Sequence, residues 1–236
     1  SAPADLSSKD LPLRDDVRLL GRILGDTLRE QEGEETFQLI ENVRRAAVRF
    51  RKTQDERDGE MLEQMLDALS PSETLAVVRA FSYFSQLSNI AEDLHHNRRH
   101  RAHLKAASAP KDGTLQLALD RLEEKKVDNK KLQSFLNSAL VSPVLTAHPT
   151  EVHRKSILDC QLIISSLLST RDRMDMTPDD LAENEEALHR FVLILWQTRM
   201  LRTSKLTVRD EIRNGLEYYR YTFLAEIPKL YAGLEK

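Results

Sequence analysis

The sequence predicts a mainly helical chain with one short strand, and three observations carry that expectation. Only 7 Gly and 8 Pro occur in 236 residues, too few to turn the corners of a strand-rich fold. Apolar residues recur three and four positions apart over most of the length, the period of an amphipathic helix. One short apolar run, Val141 to Thr146, departs from that period.

The elements follow in order. Val17, Leu20, Leu24 and Leu28 define a helix from Leu13 to about Gln31. A second runs from Glu35 to Lys52, with Phe37, Ile40, Val43 or Arg44, and Ala47 on one side. A third, Gly59 to Leu69, offers Met61, Leu62, Met65, Leu66 and Leu69. In "SPSE", Ser70 is a cap, Pro71 suits the first turn and Glu73 completes a capping box. That start opens a long helix to about His103, ended by the surface loop "AASAPKDG". Shorter helices are expected at Leu115 to Lys125 and Asn129 to Leu140. Within Val141 to Thr146, Pro143 cannot donate to a sheet ladder, so the strand is firmest over Val144 to Thr146. Helix resumes from Thr150 to Thr170, with Ile157, Cys160, Ile164 and Leu167 on one face. Thr177, Pro178 and Asp180 repeat the capping pattern and open a helix to about Arg202. A last helix begins after Thr207, where Pro228 is expected to break or kink it.

Composition narrows the function. A net charge of −3 argues against a general nucleic-acid binder. No apolar run approaches the roughly 18 residues of a membrane span, and the charged start does not resemble a signal peptide. The single cysteine, Cys160, excludes an internal disulfide and a cysteine-based zinc cluster. A cytoplasmic protein is expected.

The chemistry concentrates in "SPVLTAHPTEVHRKSILD", Ser142 to Asp159. His148 precedes Pro149, which pushes its backbone towards an extended conformation, while the proline suits the first turn of the next helix. The imidazole is thereby held at a strand-to-helix corner. Free amides at that helix start favour an anion, and Arg154 and Lys155 add positive charge. An imidazole takes and gives protons near neutral pH. From these residues alone, His148 is a candidate acid–base group beside an anion site, or a helix-capping histidine that bonds a carbonyl.

The segment "LTAHPTEVHRKS" resembles the histidine signature of the phosphoenolpyruvate carboxylase family. "DLPLRDDVRLLGRILGDTLREQEG" is similar to the amino-terminal opening of the bacterial enzymes, and "FSYFSQLSNIAEDLHHNRRHR" to their long helix. "LWQTRMLRTSKLTVRDEIRNGLEYY" resembles the segment after their first barrel strand and its helix, with Leu206 where many relatives have proline. The resemblance implies an elaborated β/α barrel, of which this chain would hold an amino-terminal helical region, 1–140, and the start of the barrel, 141–236. It implies carboxylation of phosphoenolpyruvate by bicarbonate to oxaloacetate and phosphate, with Mg2+ or Mn2+, in an allosteric homotetramer that replenishes the tricarboxylic acid cycle. His148 inherits the role of taking the proton from the carboxyphosphate intermediate. Thr150, Arg154 and Lys155 would support anions around it. The family's metal-binding carboxylates, clamping arginines and glycine-rich loop fall later in the family pattern. This chain alone is therefore expected to be inactive and to bind no metal.

Other features have plainer readings. His96, His100 and His103 share a helix face, but no carboxylate or cysteine completes a metal set, so a solvated basic face or an ion-pair partner is expected. "RRAAVRFRK" lacks the stacking aromatics of a nucleic-acid site. Cys160 and Trp196 read as core residues. The rival to the enzyme is a helical interaction or scaffolding module. An acid phosphatase would need an Arg-His-Gly motif, and none is present.

Overall fold

The computed structural model describes residues 8–106, 109–140, 154–173, 175–199 and 207–234. Among them every regular element is helical. A 3-10 turn, Ser8–Asp10, leads into α1 (Leu11–Glu32), followed by α2 (Glu34–Thr53), α3 (Glu56–Asp67) and α4 (Pro71–Lys105). Then come α5 (Leu115–Glu124), α6 (Asn129–Ser138), α7 (Lys155–Arg173), α8 (Pro178–Gln197) and α9 (Val208–Tyr218). A π-helical turn, Tyr219–Phe223, joins α9 to α10 (Leu224–Leu234). The expected strand, Val141 to Thr146, lies outside the described residues, as does the first part of the helix expected from Thr150. The expected boundary at 140/141 abuts the same stretch.

Caps set the helix limits. Gly33, at φ 88°, both closes α1 and opens α2, and its N–H donates to the Arg29 carbonyl at 3.1 Å. A side chain there would be strained, because a β-carbon disfavours that backbone region. The Ser70 box forms as expected: the Glu73 N–H donates to Ser70 Oγ at 3.3 Å, and the Ser70 N–H to Glu73 Oε2 at 2.8 Å. The Ser70 hydroxyl, which donates to Glu73 Oε2 at 2.6 Å, and the Ser70 N–H together hold the Glu73 carboxyl below its ordinary value. Thr177 and Asp180 form the second expected box, and Thr207 with Asp210 forms a third at the start of α9.

The chain forms two compact units. The first comprises residues 1–98 and 153–203. Here α1 packs on α2 and α8, α2 on α3, and α7 on α8. The core joins Leu20, Ile23 and Leu24 of α1 to Tyr83 and Leu87 of α4, Ile164 and Leu168 of α7, and Leu188 and Val192 of α8. Trp196 is buried, with its ring 5.5 Å from that of Tyr83 and the Arg79 guanidinium 4.1 Å above it. The second unit comprises residues 99–152 and 204–236. In it α9 and α10 both pack on the π-helical turn between them.

Four expectations shift. The third helix buries nothing fully, and Met61 and Leu66 are exposed, because α3 packs on α2 alone among its larger contacts. Ala46 rather than Ala47, and Leu168 rather than Leu167, are the fully buried positions. The helix expected to reach Arg202 ends at Gln197. There Arg79 donates to the Trp196 carbonyl and the Tyr83 hydroxyl to the Thr198 carbonyl, so α4 side chains satisfy the terminal acceptors. Pro228 lies inside α10 and does not end it; the irregularity sits one turn earlier, as the π-helical turn at Tyr219–Phe223.

Candidate functional site at the start of helix α7

His148 and Thr150 lie outside the described residues. Arg154 and Lys155 are placed, side by side, where α7 begins. The Arg154 carbonyl accepts from the Ile157 N–H at 2.9 Å and the Leu158 N–H at 3.2 Å, which makes Arg154 the first residue to cap the helix. Its side chain is half-buried, whereas that of Lys155 is exposed. Two cations thus stand at a helix amino end, where the backbone dipole also favours negative charge.

That helix start is firmly seated. Ile157, Cys160, Ile164 and Leu168 bury one side of α7 from its first turn to its fourth. Gln161 donates to Gln86 of α4 at 2.9 Å. Asn184 of α8 donates to the Leu167 carbonyl at 3.2 Å and accepts from Arg171 at 3.3 Å. Burial pushes the Cys160 thiol up, and the neighbouring Asp159 pushes it the same way. A thiol so placed is a packing group and a poor nucleophile. Cys160 and Trp196 are core residues, as the sequence suggested.

Near the other end of α7 lies a polar cluster that the sequence reading passed over. Arg98 of α4 donates through Nε to Asp172 at 2.7 Å and through a terminal nitrogen to Asp16 of α1 at 2.6 Å. Burial pushes the Asp16 carboxyl above its ordinary value, against the hydrogen bond and charge of Arg98; the nearby Asp172 adds to the rise. Burial works against the Arg98 charge too, yet its bonds to Asp16 and Asp172 hold the guanidinium above its ordinary value. One turn earlier on α4, His95 is buried, with Nε2 3.3 Å from Asp10. A usable signal was present: Tyr83, Leu87, Ala91 and Leu94 make a buried stripe, and continuing its three-and-four spacing reaches Arg98.

The other candidates are less chemical. Among the described residues no group of three or more His, Cys, Asp and Glu is arranged to hold a metal ion. His96 and His100 are exposed, and His103 Nε2 lies 2.9 Å from the Ala109 carbonyl. In the basic stretch of α2, Arg44 pairs with Glu41 at 2.9 Å and Arg49 with Asp58 at 2.9 Å. Among the described residues no helix is long and apolar enough to cross a membrane.

The sequence profile of phosphoenolpyruvate carboxylase matches residues 13–236, which take in all but the first two residues of α1, the whole of α2 to α10 and the His148 segment. The chain belongs to the phosphoenolpyruvate carboxylase family. The phosphoenolpyruvate carboxylase of Nitrosomonas europaea is 61% identical to it over 229 residues, 97% of this chain and 24% of the relative. That of Azoarcus sp. strain BH72 is 59% identical over 228 residues, 96% of this chain and 25% of the relative. The Azorhizobium caulinodans protein is 53% identical over 227 residues, 96% of this chain and 24% of the relative. The chain therefore spans about a quarter of the length of these phosphoenolpyruvate carboxylases.

Proposed function

We propose that this chain is the amino-terminal quarter of a phosphoenolpyruvate carboxylase, with His148 as its contribution to the chemistry. The observation that carries this reading is the family match, whose span, residues 13–236, includes "LTAHPTEVHRKS". In the proposed reaction bicarbonate attacks the phosphoryl group of phosphoenolpyruvate, giving carboxyphosphate and the enolate of pyruvate. His148 takes the carboxyl proton of carboxyphosphate, the bond to phosphate breaks, and carbon dioxide is released to be captured by the enolate. The products are oxaloacetate and phosphate.

A neutral imidazole suits that step because it accepts a proton without adding negative charge to an already anionic site. Thr150, Arg154 and Lys155 support the anions. Burial of Ile157 and Cys160 in the first turns of α7 seats the start of that helix against the core. The whole enzyme would use Mg2+ or Mn2+ as a Lewis acid, but the described residues do not fit a metal site, and no step is assigned to them through it. A cytoplasmic, allosterically controlled homotetramer that replenishes the tricarboxylic acid cycle completes the reading.

The test is His148→Asn in the full-length protein, with pyruvate, phosphate and oxaloacetate measured together. Phosphoenolpyruvate cleavage to pyruvate and phosphate persists, whereas oxaloacetate falls by about a hundredfold or more, the scale of a lost acid–base group. Undiminished oxaloacetate from the variant overturns the role of His148. A wild-type protein that fixes no bicarbonate onto phosphoenolpyruvate overturns the function itself.

A further inference from the structure

Side-chain pairs along α7 fix what lies beside its start. Gln161 meets Gln86 of α4, and Asp172 meets Arg98, so α7 and α4 run side by side in the same direction. α7 opens at Arg154, two turns before Gln161, and two turns before Gln86 stands Arg79. Against α8 the order is reversed: Asn184 donates to the Leu167 carbonyl, and Arg171 to the Leu181 carbonyl at 3.4 Å. The carboxyl end of α8 is therefore level with the start of α7. Arg154, Arg79 and the stretch from Trp196 to Thr198 share one level of the first unit.

At that level Arg79 serves three groups at once. Its guanidinium donates to the Trp196 carbonyl, lies 4.1 Å from the centre of the Trp196 ring and stands 3.6 Å from the Glu32 carboxylate. Two helices end here, α1 at Glu32 and α8 at Gln197, and a cation offsets the negative pole of each. The planar fork of an arginine can cover the ring and donate at its edge, which an ammonium cannot. One turn on, the Tyr83 hydroxyl donates to the Thr198 carbonyl, and the Tyr83 ring lies 5.5 Å from that of Trp196. Burial pushes the Tyr83 phenol up, Arg79 opposes the rise and Cys160 of α7 adds to it, so Tyr83 also stands near the first turns of α7. Trp196 in turn is buried in the same core as Ile157 and Cys160. We propose that Arg79 and Tyr83 are positioning residues for the site at the start of α7. By gripping the end of α8 they hold Trp196 in the core that seats this start, and so fix where Arg154 and Lys155 present their charge. The inference rests on the proposed carboxylation, in which those two cations support the anions.

Steady-state kinetics of the full-length protein test the assignment. Cations that hold an anion equally before and during the reaction set KM, so a displaced helix start raises KM for phosphoenolpyruvate and leaves kcat nearly unchanged. Tyr83→Phe keeps the ring and loses one hydrogen bond, and raises KM by about threefold; Arg79→Met loses charge and fork together, and raises it by about tenfold. Tyr83→Phe preserves the packing, so it decides the matter where Arg79→Met fails to fold. Leu94→Ala, at a buried position three turns further along α4, loosens the same core away from the end of α8 and leaves KM at the wild-type value. An active enzyme whose KM ignores both substitutions overturns the positioning and leaves the function standing, and so does a KM that rises equally in Leu94→Ala. A wild type that fixes no bicarbonate overturns the function, and this inference with it.

Discussion

The two compact units are built from the same kind of helix, and among the described residues only the first has a buried core. Every fully buried residue among the described ones lies in the first unit. In the second, the helices are no less one-sided in sequence: Val208, Ile212 and Leu216 repeat every four residues along α9, and Leu119 and Leu115 do so on α5. Yet Val208 is 72% exposed and Leu140 is 88% exposed. Amphipathicity states that a face has an apolar side; it does not state that the same chain covers it. In the first unit the cover is local, since α1, α4, α7 and α8 bury one another's stripes.

The difference is open to direct attack. Leu87, fully buried, makes the largest test: Leu87→Ala removes a core side chain and leaves a cavity, at about 3 kcal/mol. Phe135→Ala on exposed α6 changes stability by about 0.5 kcal/mol or less. Chemical denaturation of both variants measures the contrast, and equal losses would erase it.

Next comes the Arg98 node. Arg98→Leu leaves Asp16 and Asp172 facing each other without their shared cation, at about 2 kcal/mol. The pH dependence has a definite sign. The Asp16 carboxyl is already pushed up by burial and rises further without the guanidinium. A raised carboxyl stabilises while protonated and loses that contribution as pH climbs through its folded value. The variant is thus more damaging in mildly alkaline solution than in acid, which thermal melts across that range would reveal; a pH-independent loss would contradict the charge argument.

The smallest effect on the fold, though a clear one in rate, concerns thiols. Cys160 is buried and its thiol pushed up, so alkylation in the native state is slow and accelerates on unfolding. A cysteine placed at exposed Leu136 reacts at once. Comparable native rates at the two positions would mean that α7 opens as readily as α6.

How much of this was legible in the sequence follows from the same contrast. The helices, the boxes at Ser70 and Thr177 and the core roles of Cys160 and Trp196 are local matters, set by spacing and by side chains a few residues apart. What failed depended on partners far along the chain. Whether Ala46 or Ala47 is covered is decided by the neighbour, because an apolar stripe is wide enough to hold both. Met61 and Leu66 looked like core, but α3 has too few neighbours to bury them. Arg98 was hidden because its two carboxylates lie 82 and 74 residues away. The His148 segment was legible as a motif, while its geometry lies outside the described residues.

The packing of Trp196 has an optical consequence. It is the chain's one tryptophan, and it sits against Tyr83 and Arg79 in the first unit, its indole N–H donating to Glu32 at 3.1 Å. Of the five tyrosines, the other four, Tyr218, Tyr219, Tyr221 and Tyr231, belong to the second unit. Light at the red edge of the absorption band therefore excites a reporter for one half of the molecule, and tyrosine emission is weighted towards the other. A melting curve followed by tryptophan fluorescence reports the packing around Trp196 in the first unit, and the two colours together would follow both units within one unlabelled sample.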